Sequence, residues 1–158
     1  MSEAAKAQID SLAAFPDQLK RQLQGLEEAA LRFRPAPNEW SILEIVGHMN
    51  DVGALWPARI RQMLATDNPT LAAVDPDWVR QRDYHNKQLS FLLLTLAEQR
   101  AEFVEFVRVL RPAQLARPGL HPTRGPLTVE QGIAALADHD RIHSQQIAAN
   151  LEAYRSTS

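Results

Sequence analysis

The apolar residues of this chain recur at intervals of three and four positions over four long stretches, the spacing of amphipathic α-helices. No stretch shows the alternation with period two that is typical of strands, and no internal repeat is present. The pattern predicts helices over residues 3–23, from Asn38 to between Thr66 and Pro69, from Asp77 to Leu110, and from Thr128 to Tyr154. Four such helices predict an all-α four-helix bundle, formed by a single domain over residues 1–158.

Capping signals support the starts of two of these helices. Ser41 is followed by Glu44, and Thr128 by Gln131, which is the spacing of a capping box. Asn38 is an alternative cap for the second helix. Pro16 predicts a bend in the first helix, because proline removes a helical hydrogen bond.

The connections between the helices are less regular. The segment Leu26–Leu31 predicts one short extra helical turn, and the short link to the second helix favours antiparallel neighbours. Residues 111–126 contain four of the ten prolines and two of the six glycines, so we expect a long ordered loop with at most one short turn. For the connections after the second helix, two topologies stay open: a direct return to a neighbouring helix or a crossing of the bundle.

Composition and charge exclude several classes of site and partner. The 17 basic and 19 acidic residues give a formal net charge of −2, so no basic field favours nucleic acid as a partner. The absence of cysteine excludes disulfides, thiolate metal sites and a cysteine nucleophile. No apolar run approaches the roughly 20 residues that span a bilayer, and the polar, acidic start lacks a signal-peptide pattern. We therefore expect no membrane insertion and a cytoplasmic location.

Three histidines fall on predicted inward faces. His139 and His143 stand four residues apart on the last helix, on the stripe that includes Leu136 and Ile147. His48 lies on the inward stripe of the second helix. A single core histidine is more often a hydrogen-bonded structural residue than a ligand. Three together favour one shared divalent cation, because each imidazole buried without a partner costs about 1–3 kcal/mol.

Three neutral imidazoles suit Zn, Ni, Fe or Cu and leave at least one coordination position open to water or substrate. The string from His139 to His143 also has the histidine spacing of the zincin motif H-E-x-x-H. Asp140 stands where that motif has its glutamate, and the third candidate ligand lies far upstream, so the protease interpretation is set aside.

Two longer stretches carry a family resemblance. The first runs from Arg34 through Trp40-Ser41, Glu44 and His48 to Asp51, and the second from His121 into the last helix and through His139 to Ile147. Together with Tyr84 and Arg100 on the central segment, they resemble the DinB-like (YfiT-like) superfamily of metal-dependent hydrolases over essentially the whole chain. The resemblance implies a four-helix bundle, often a homodimer, with a divalent metal such as zinc or nickel (iron or manganese being further options) held by His48, His139 and His143.

The resemblance leaves the reaction open. Some relatives are thiol-dependent, such as bacillithiol S-transferases and mycothiol-dependent maleylpyruvate isomerase, which implies a small-molecule substrate and a low-molecular-weight thiol whose sulfur the metal activates. A hydrolase would instead activate water. The rival hypotheses are a non-catalytic stress-related or interaction protein that retains the metal site, and a structural bundle with buried histidines.

Other polar and aromatic residues have simpler interpretations. Asp51, one turn after His48, is a candidate for orienting water or a ligand at the metal, although a solvated or ion-paired residue is the commoner case. Glu44 is explained by the capping box, and His85 and His121 are expected to be isolated and exposed. We expect Trp40, Trp56 and Trp78 to pack in the core. We expect a group of basic residues to lie on a solvated helix surface. That group comprises Arg32, Arg34, Arg59 and Arg61.

Overall fold

The structure, a computed structural model, describes residues 1–157. These residues form seven α-helices, one 3₁₀ turn and two short strands. The helices are α1 (Glu3–Leu23), α2 (Glu28–Arg32), α3 (Ile42–Ala65), α4 (Trp78–Gln81), α5 (Leu89–Arg108), α6 (Pro112–Leu115) and α7 (Val129–Arg155). The 3₁₀ turn spans Tyr84–Asn86, and the strands are β1 (Pro118–His121) and β2 (Gly125–Thr128).

The four long helices α1, α3, α5 and α7 form the predicted four-helix bundle. Helix α3 packs against α5 and α7, and α1 packs against the same two helices from the other side. Within residues 1–157, α1 and α3 are therefore diagonal partners. The expectation that they would be antiparallel neighbours was wrong, because the connection through α2, which packs on α3, carries the chain across the end of the bundle.

The helix ends follow the capping signals closely. Ser41 and Thr128 both form the predicted capping boxes: each side-chain oxygen accepts from the backbone N–H three residues on, and each backbone N–H donates to the Glu44 or Gln131 side chain. The second long helix therefore begins at Ile42 and not near Asn38. Ser2 caps α1, which spans the predicted residues 3–23 and contains Pro16 within it. No helix in the described part of the chain is both long and apolar enough to cross a membrane.

The predicted helix from Asp77 to Leu110 is interrupted. Its first part forms α4 and the 3₁₀ turn, and regular helix resumes only at Leu89. Asp83, between α4 and the turn, has φ +52°, a left-handed conformation that no continuous helix contains. This turn places the Tyr84 ring against Gly47 of α3, so a tertiary contact replaces local helical continuity.

The long loop before α7 contains more structure than expected. Helix α6 is the one short turn that the sequence allowed for this loop. It is followed by an antiparallel hairpin in which Gly119 pairs with Leu127 and His121 with Gly125. Gly125 has φ +75°, which glycine adopts without steric cost. Leu120 exchanges backbone hydrogen bonds with the 66–77 connection: its N–H donates to Pro69 and its carbonyl accepts from Leu71. These bonds hold the hairpin beside the C-terminal half of α3.

Two apolar clusters fill the bundle. One surrounds Trp56, Phe103 and Leu136, and the other surrounds Leu19, Ile45 and Leu92. Both clusters take residues from α1, α3, α5 and α7, so each long helix is anchored along its length. This anchoring fixes the face that α3 presents to α7, where the histidines lie.

Candidate metal centre

The structure brings His48, His139 and His143 together between α3 and α7. One ring nitrogen from each lies within 4.8 Å of the other two, and the ring centroids are 4.2–4.9 Å apart. The closest approach is 3.0 Å, between Nε2 of His48 and Nε2 of His139. The convergence expected from helix counting therefore holds, while the binding of a metal by these residues stays a prediction.

One of the three rings is hydrogen-bonded in the way that is typical of a metal-bound histidine. Nδ1 of His143 lies 2.7 Å from Oε1 of Gln146, one helical turn further on. Donation of the Nδ1 proton to this amide oxygen leaves the Nε2 lone pair of His143 free, the arrangement found around metal-bound histidines. The Nε2 atoms of His48 and His139 also lie only 3.0 Å apart, close enough to bind one ion. The donor set and the Gln146 contact therefore fit a divalent cation.

Burial keeps all three imidazoles neutral near neutral pH. Burial and the nearby His143 lower the pKa of His48 to about 4. The pKa of His139 falls to about 2, mainly through burial and then through the neighbouring histidines and two arginines. The pKa of His143 is also lowered by burial, against a smaller opposing effect of Gln146. Neutral imidazole is the form that binds a metal, so these shifts favour coordination.

Two further features of the three-histidine group are the contact of His48 with Trp40 and the environment of Nδ1 of His139. The Trp40 indole lies against the His48 ring, with centroids 4.8 Å apart, and shields that face from water. Nδ1 of His139 is buried and has no hydrogen-bond partner among residues 1–157. This nitrogen lacks the hydrogen-bond partner that both structural and metal-bound histidines normally have.

Asp51 belongs to a neighbouring polar cluster. Its carboxylate is buried, and Oδ1 accepts from the Tyr84 hydroxyl at 2.7 Å and from the Arg82 guanidinium. Burial and the bond to Asp51 raise the pKa of Tyr84 to about 12, so the phenol stays protonated. The other oxygen, Oδ2, is buried without a partner in the described chain. Within the same residues Asp51 makes no hydrogen bond to the three histidines; of the two commoner cases expected for it, the structure shows the ion-paired one, with Arg82, and not the solvated one.

The other two histidines lie outside the group of three, but neither is isolated. His85 packs at the start of α3, with Nδ1 3.1 Å from the Ser41 hydroxyl and 3.6 Å from Glu44. The His121 ring stacks on Trp56 at 5.9 Å, and its Nδ1 accepts two backbone N–H groups of the hairpin turn. The expectation that both would be exposed was therefore wrong, because each serves a local capping or turn contact.

The arginines that were expected together on a solvated helix surface lie in different environments in the structure. Arg59 is only 3% exposed and lies over the Trp56 ring, with its guanidinium carbon 4.7 Å from the centroid. Arg34 pairs instead with Glu44 at 2.7 Å, and Arg61 lies over Phe106. Trp56 is buried as expected, whereas Trp40 and Trp78 are only partly covered.

Sequence reasoning missed the roles of several residues around the site. Gln146 had a detectable signal, because a residue three positions after His143 shares its helix face. The contacts of Asp51 with Arg82 and Tyr84 had none, since they depend on how the 78–86 segment folds back onto α3.

Comparison with known proteins agrees with this geometry. The family model for the DinB superfamily matches residues 11–147, most of the chain. The chain belongs to the DinB superfamily. Its relatives include a protein of Halalkalibacterium halodurans named a putative metal-dependent hydrolase, which is 25% identical over 141 residues, covering 88% of this chain and 81% of the relative. A protein of the same name from Oceanobacillus iheyensis is 21% identical over 142 residues, covering 89% and 82%.

Two solved structures superpose well on this chain. YfiT from Bacillus subtilis, described as a probable metal-dependent hydrolase with an unusual four-helix bundle topology, gives a TM-score of 0.89 at 22% identity, covering 99% of this chain and 90% of that one. A conserved protein from Enterococcus faecalis gives 0.70 at 14% identity, with 97% and 98% covered. At these identities the likeness shows the shared fold.

Proposed function

We propose that this protein is a divalent-metal-dependent hydrolase whose metal is held by His48, His139 and His143. The observation that carries the proposal is the convergence of three neutral imidazoles within 4.8 Å of one another. Both relatives are named putative metal-dependent hydrolases, and these names support the same reaction class. Zinc or nickel suits three nitrogen ligands best, with iron or manganese as further options.

The residues around the site have separable tasks in this proposal. A bound cation with an open position supplies Lewis acidity and lowers the pKa of water. Gln146 orients the His143 ring through the 2.7 Å contact to Nδ1. Trp40 covers one face of His48 and limits access of bulk water.

Asp51 is the proposed proton acceptor. It follows His48 by one helical turn, and its Oδ1 is fixed by Tyr84 and Arg82 while Oδ2 has no partner in the described chain. A carboxylate held in this way has one oxygen available to accept a proton. Replacement by asparagine tests this role, because it keeps the shape of the side chain and removes the charge.

The first experiment measures metal content and turnover together. Wild-type protein incubated with Zn²⁺, Ni²⁺, Fe²⁺ or Mn²⁺ is expected to retain about one ion per chain after gel filtration, and H48A none. H85A is the matched control, since His85 lies outside the group of three, and it should retain the ion. Wild-type protein that binds none of the four metals would contradict the proposal.

The second experiment tests the reaction class. Metal-loaded wild type is assayed on a panel of esters and amides, and D51N is expected to keep the metal but lose about 10²-fold in turnover. Thiol conjugation to an electrophile is measured beside it with several low-molecular-weight thiols, because the thiol-transfer expectation stays a prediction. Metal-bound protein without turnover on any substrate would favour the non-catalytic alternative.

The oligomeric state belongs to the same proposal. The family resemblance predicts a homodimer, and sedimentation velocity of metal-loaded protein tests it directly. A single species at the mass of one 17.7 kDa chain would contradict that prediction without affecting the metal site.

A further inference from the structure

A cavity of about 370 Å³ lies beside the three-histidine group, between the segment that precedes α3 and the C-terminal half of α7. Its walls include Asn38, Glu39 and Trp40 from the first of these and Gln146 and Asn150 from the second. None of these five residues is a proposed metal ligand. The inference drawn from this cavity rests on the proposed function and names the class of substrate.

Direct side-chain contacts join the cavity to the metal centre. Gln146 lines the cavity, and its Oε1 atom lies 2.7 Å from Nδ1 of His143. Trp40 lines the cavity as well, and its ring centroid is 4.8 Å from that of His48. A group bound in the cavity is therefore separated from two of the three imidazoles by one side chain only.

Two hydrogen bonds fix the wall that precedes α3. The backbone N–H of Glu39 donates to the Ala36 carbonyl at 3.0 Å, which closes a tight turn. Nδ2 of Asn150 donates to the Trp40 carbonyl at 2.8 Å and ties this segment to α7. The backbone positions of Glu39 and Trp40 are thus set before any ligand binds, which lowers the entropic cost of binding.

Two acceptor groups of the cavity lack partners in residues 1–157. Asn150 is only 5% exposed, and its Oδ1 atom accepts no hydrogen bond from these residues. The Glu39 carboxylate is exposed and forms no ion pair within the same part of the chain, although ten ion pairs join other side chains. Both groups accept hydrogen bonds, and the carboxylate also carries the charge that attracts a cation.

The other residues of the cavity agree with a cationic ligand. No lysine, arginine or histidine of the described chain lines it. The indole of Trp40 is the aromatic ring that attracts a cation most strongly, through the negative charge of its π face. Because three neutral imidazoles leave the charge of a bound metal in place, a second cation nearby needs a carboxylate such as that of Glu39 to offset the repulsion.

We infer that this cavity binds a protonated amino group of the substrate, held by Glu39, by the Trp40 indole and by Oδ1 of Asn150. The substrate class is therefore an ester or amide that bears an ammonium group a few bonds from the reacting carbonyl. The carbonyl would lie at the metal and the ammonium in the cavity, on either side of Trp40 and Gln146.

The test compares ligands that differ only in a terminal ammonium. Hydroxamates with four- to six-carbon chains that end in an ammonium, and counterparts in which a methyl group replaces it, are titrated into zinc-loaded full-length protein by calorimetry. The hydroxamate serves as a general zinc ligand, so the readout needs no turnover. At least one ammonium probe is expected to bind wild type about 10-fold more tightly than its methyl counterpart.

Variants identify the source of that preference. E39Q should reduce the preference to within about 2-fold, because it removes the charge and keeps the shape, and E39D should retain part of it. The matched control is E102Q, which changes the net charge equally at an exposed position of α5. Because the preference is a ratio measured on one protein, a change in zinc affinity or in stability affects both probes alike and leaves the ratio unchanged.

The outcomes separate this inference from the proposed function. Preference lost in E39Q and kept in E102Q supports the cavity as the ammonium site. Equal binding of ammonium and methyl probes to wild type, or a preference that survives in E39Q or disappears in E102Q, overturns the inference while the metal site stands. Failure of wild type to bind zinc or any hydroxamate overturns the proposed function itself.

Discussion

At the scale of single residues, the protonation and orientation of imidazole decide what the site can do. Burial lowers the pKa of all three clustered histidines, so each offers a lone pair at neutral pH. Gln146 then selects which nitrogen of His143 is free. The proposed metal ligands can therefore be tested by changing Gln146, which is not itself one of them.

Replacement of Gln146 by alanine is expected to weaken metal binding about 10- to 100-fold, because the His143 ring loses the partner that fixes its tautomer and orientation. Competition with a chromophoric chelator measures the affinity. Q145A, at the adjacent exposed position, is the control and should leave it unchanged. Equal affinities of Q146A and wild type would show that the 2.7 Å contact does not support the site.

Metal-free protein is expected to lose stability as the pH falls below about 6.5. The histidine pKa values are lowered in the folded state, to about 4 for His48, so the unfolded chain binds more protons in this window. Each histidine that titrates only on unfolding contributes a slope of roughly 1.4 kcal/mol per pH unit. Urea unfolding at several pH values, with chelator present, measures the slope, and H48Q should show a shallower one. Identical slopes for both proteins would contradict the lowered pKa of His48.

At the scale of elements, the approach of the 78–86 segment to α3 shapes the surroundings of Asp51, one helical turn from the candidate metal centre. The segment supplies Tyr84 and Arg82 to Asp51, and it reaches them because position 47 on α3 has no side chain. The helical periodicity around Trp78 is real but ends after one turn, at the left-handed Asp83. A contact between elements therefore overrides the local preference.

Gly47→Ala is expected to destabilise the fold by about 1–3 kcal/mol, because the new methyl group would overlap the Tyr84 ring. It should also separate Tyr84 from Asp51. Gly53→Ala on the same helix is the control: its nearest neighbour is the Gln99 side-chain oxygen at 3.1 Å, which can move. The gain in helix propensity, about 1 kcal/mol, then makes that change neutral or mildly stabilising. Similar unfolding free energies for the two variants would refute the close packing of Tyr84.

At the scale of the whole molecule, a buried ion pair joins three of the four long helices. Arg100 on α5 and Asp140 on α7 are 2% and 4% exposed and form two bonds, of 2.5 and 3.1 Å. Arg100 also donates to the Leu12 carbonyl of α1 at 3.4 Å. Because Asp140 directly follows His139, the pair helps to fix the rotation of α7 that directs the histidines toward His48.

Arg100→Met is expected to cost about 3–5 kcal/mol, because it leaves the Asp140 carboxylate buried without a partner. The double variant Arg100→Met with Asp140→Leu should recover much of this loss, since an apolar pair of similar volume removes the unpaired charge. Chemical denaturation of metal-free protein gives both values. A double variant less stable than the single one would show that the pair contributes more than mutual neutralisation.

Much of the architecture and the group of three histidines could be derived from the order of residues alone. The capping boxes at Ser41 and Thr128, the extent of α1 and the inward positions of His48, His139 and His143 all depend on spacing within one helix. Such spacing is set by the 3.6-residue repeat and by hydrogen bonds within a turn, both of which are local.

Only the tertiary structure decided which surfaces meet. The diagonal placement of α1 and α3, the hairpin before α7, the burial of Arg59 and the Asp51–Tyr84 contact all join residues that are distant in sequence or depend on packing against them. Local propensity carries little information about such contacts, because their free energy comes from burial and pairing that exist only once the helices have packed. The sequence alone therefore determined which faces of the helices carry the histidines, and the packing of α3 against α7 decided that the three rings would share one site.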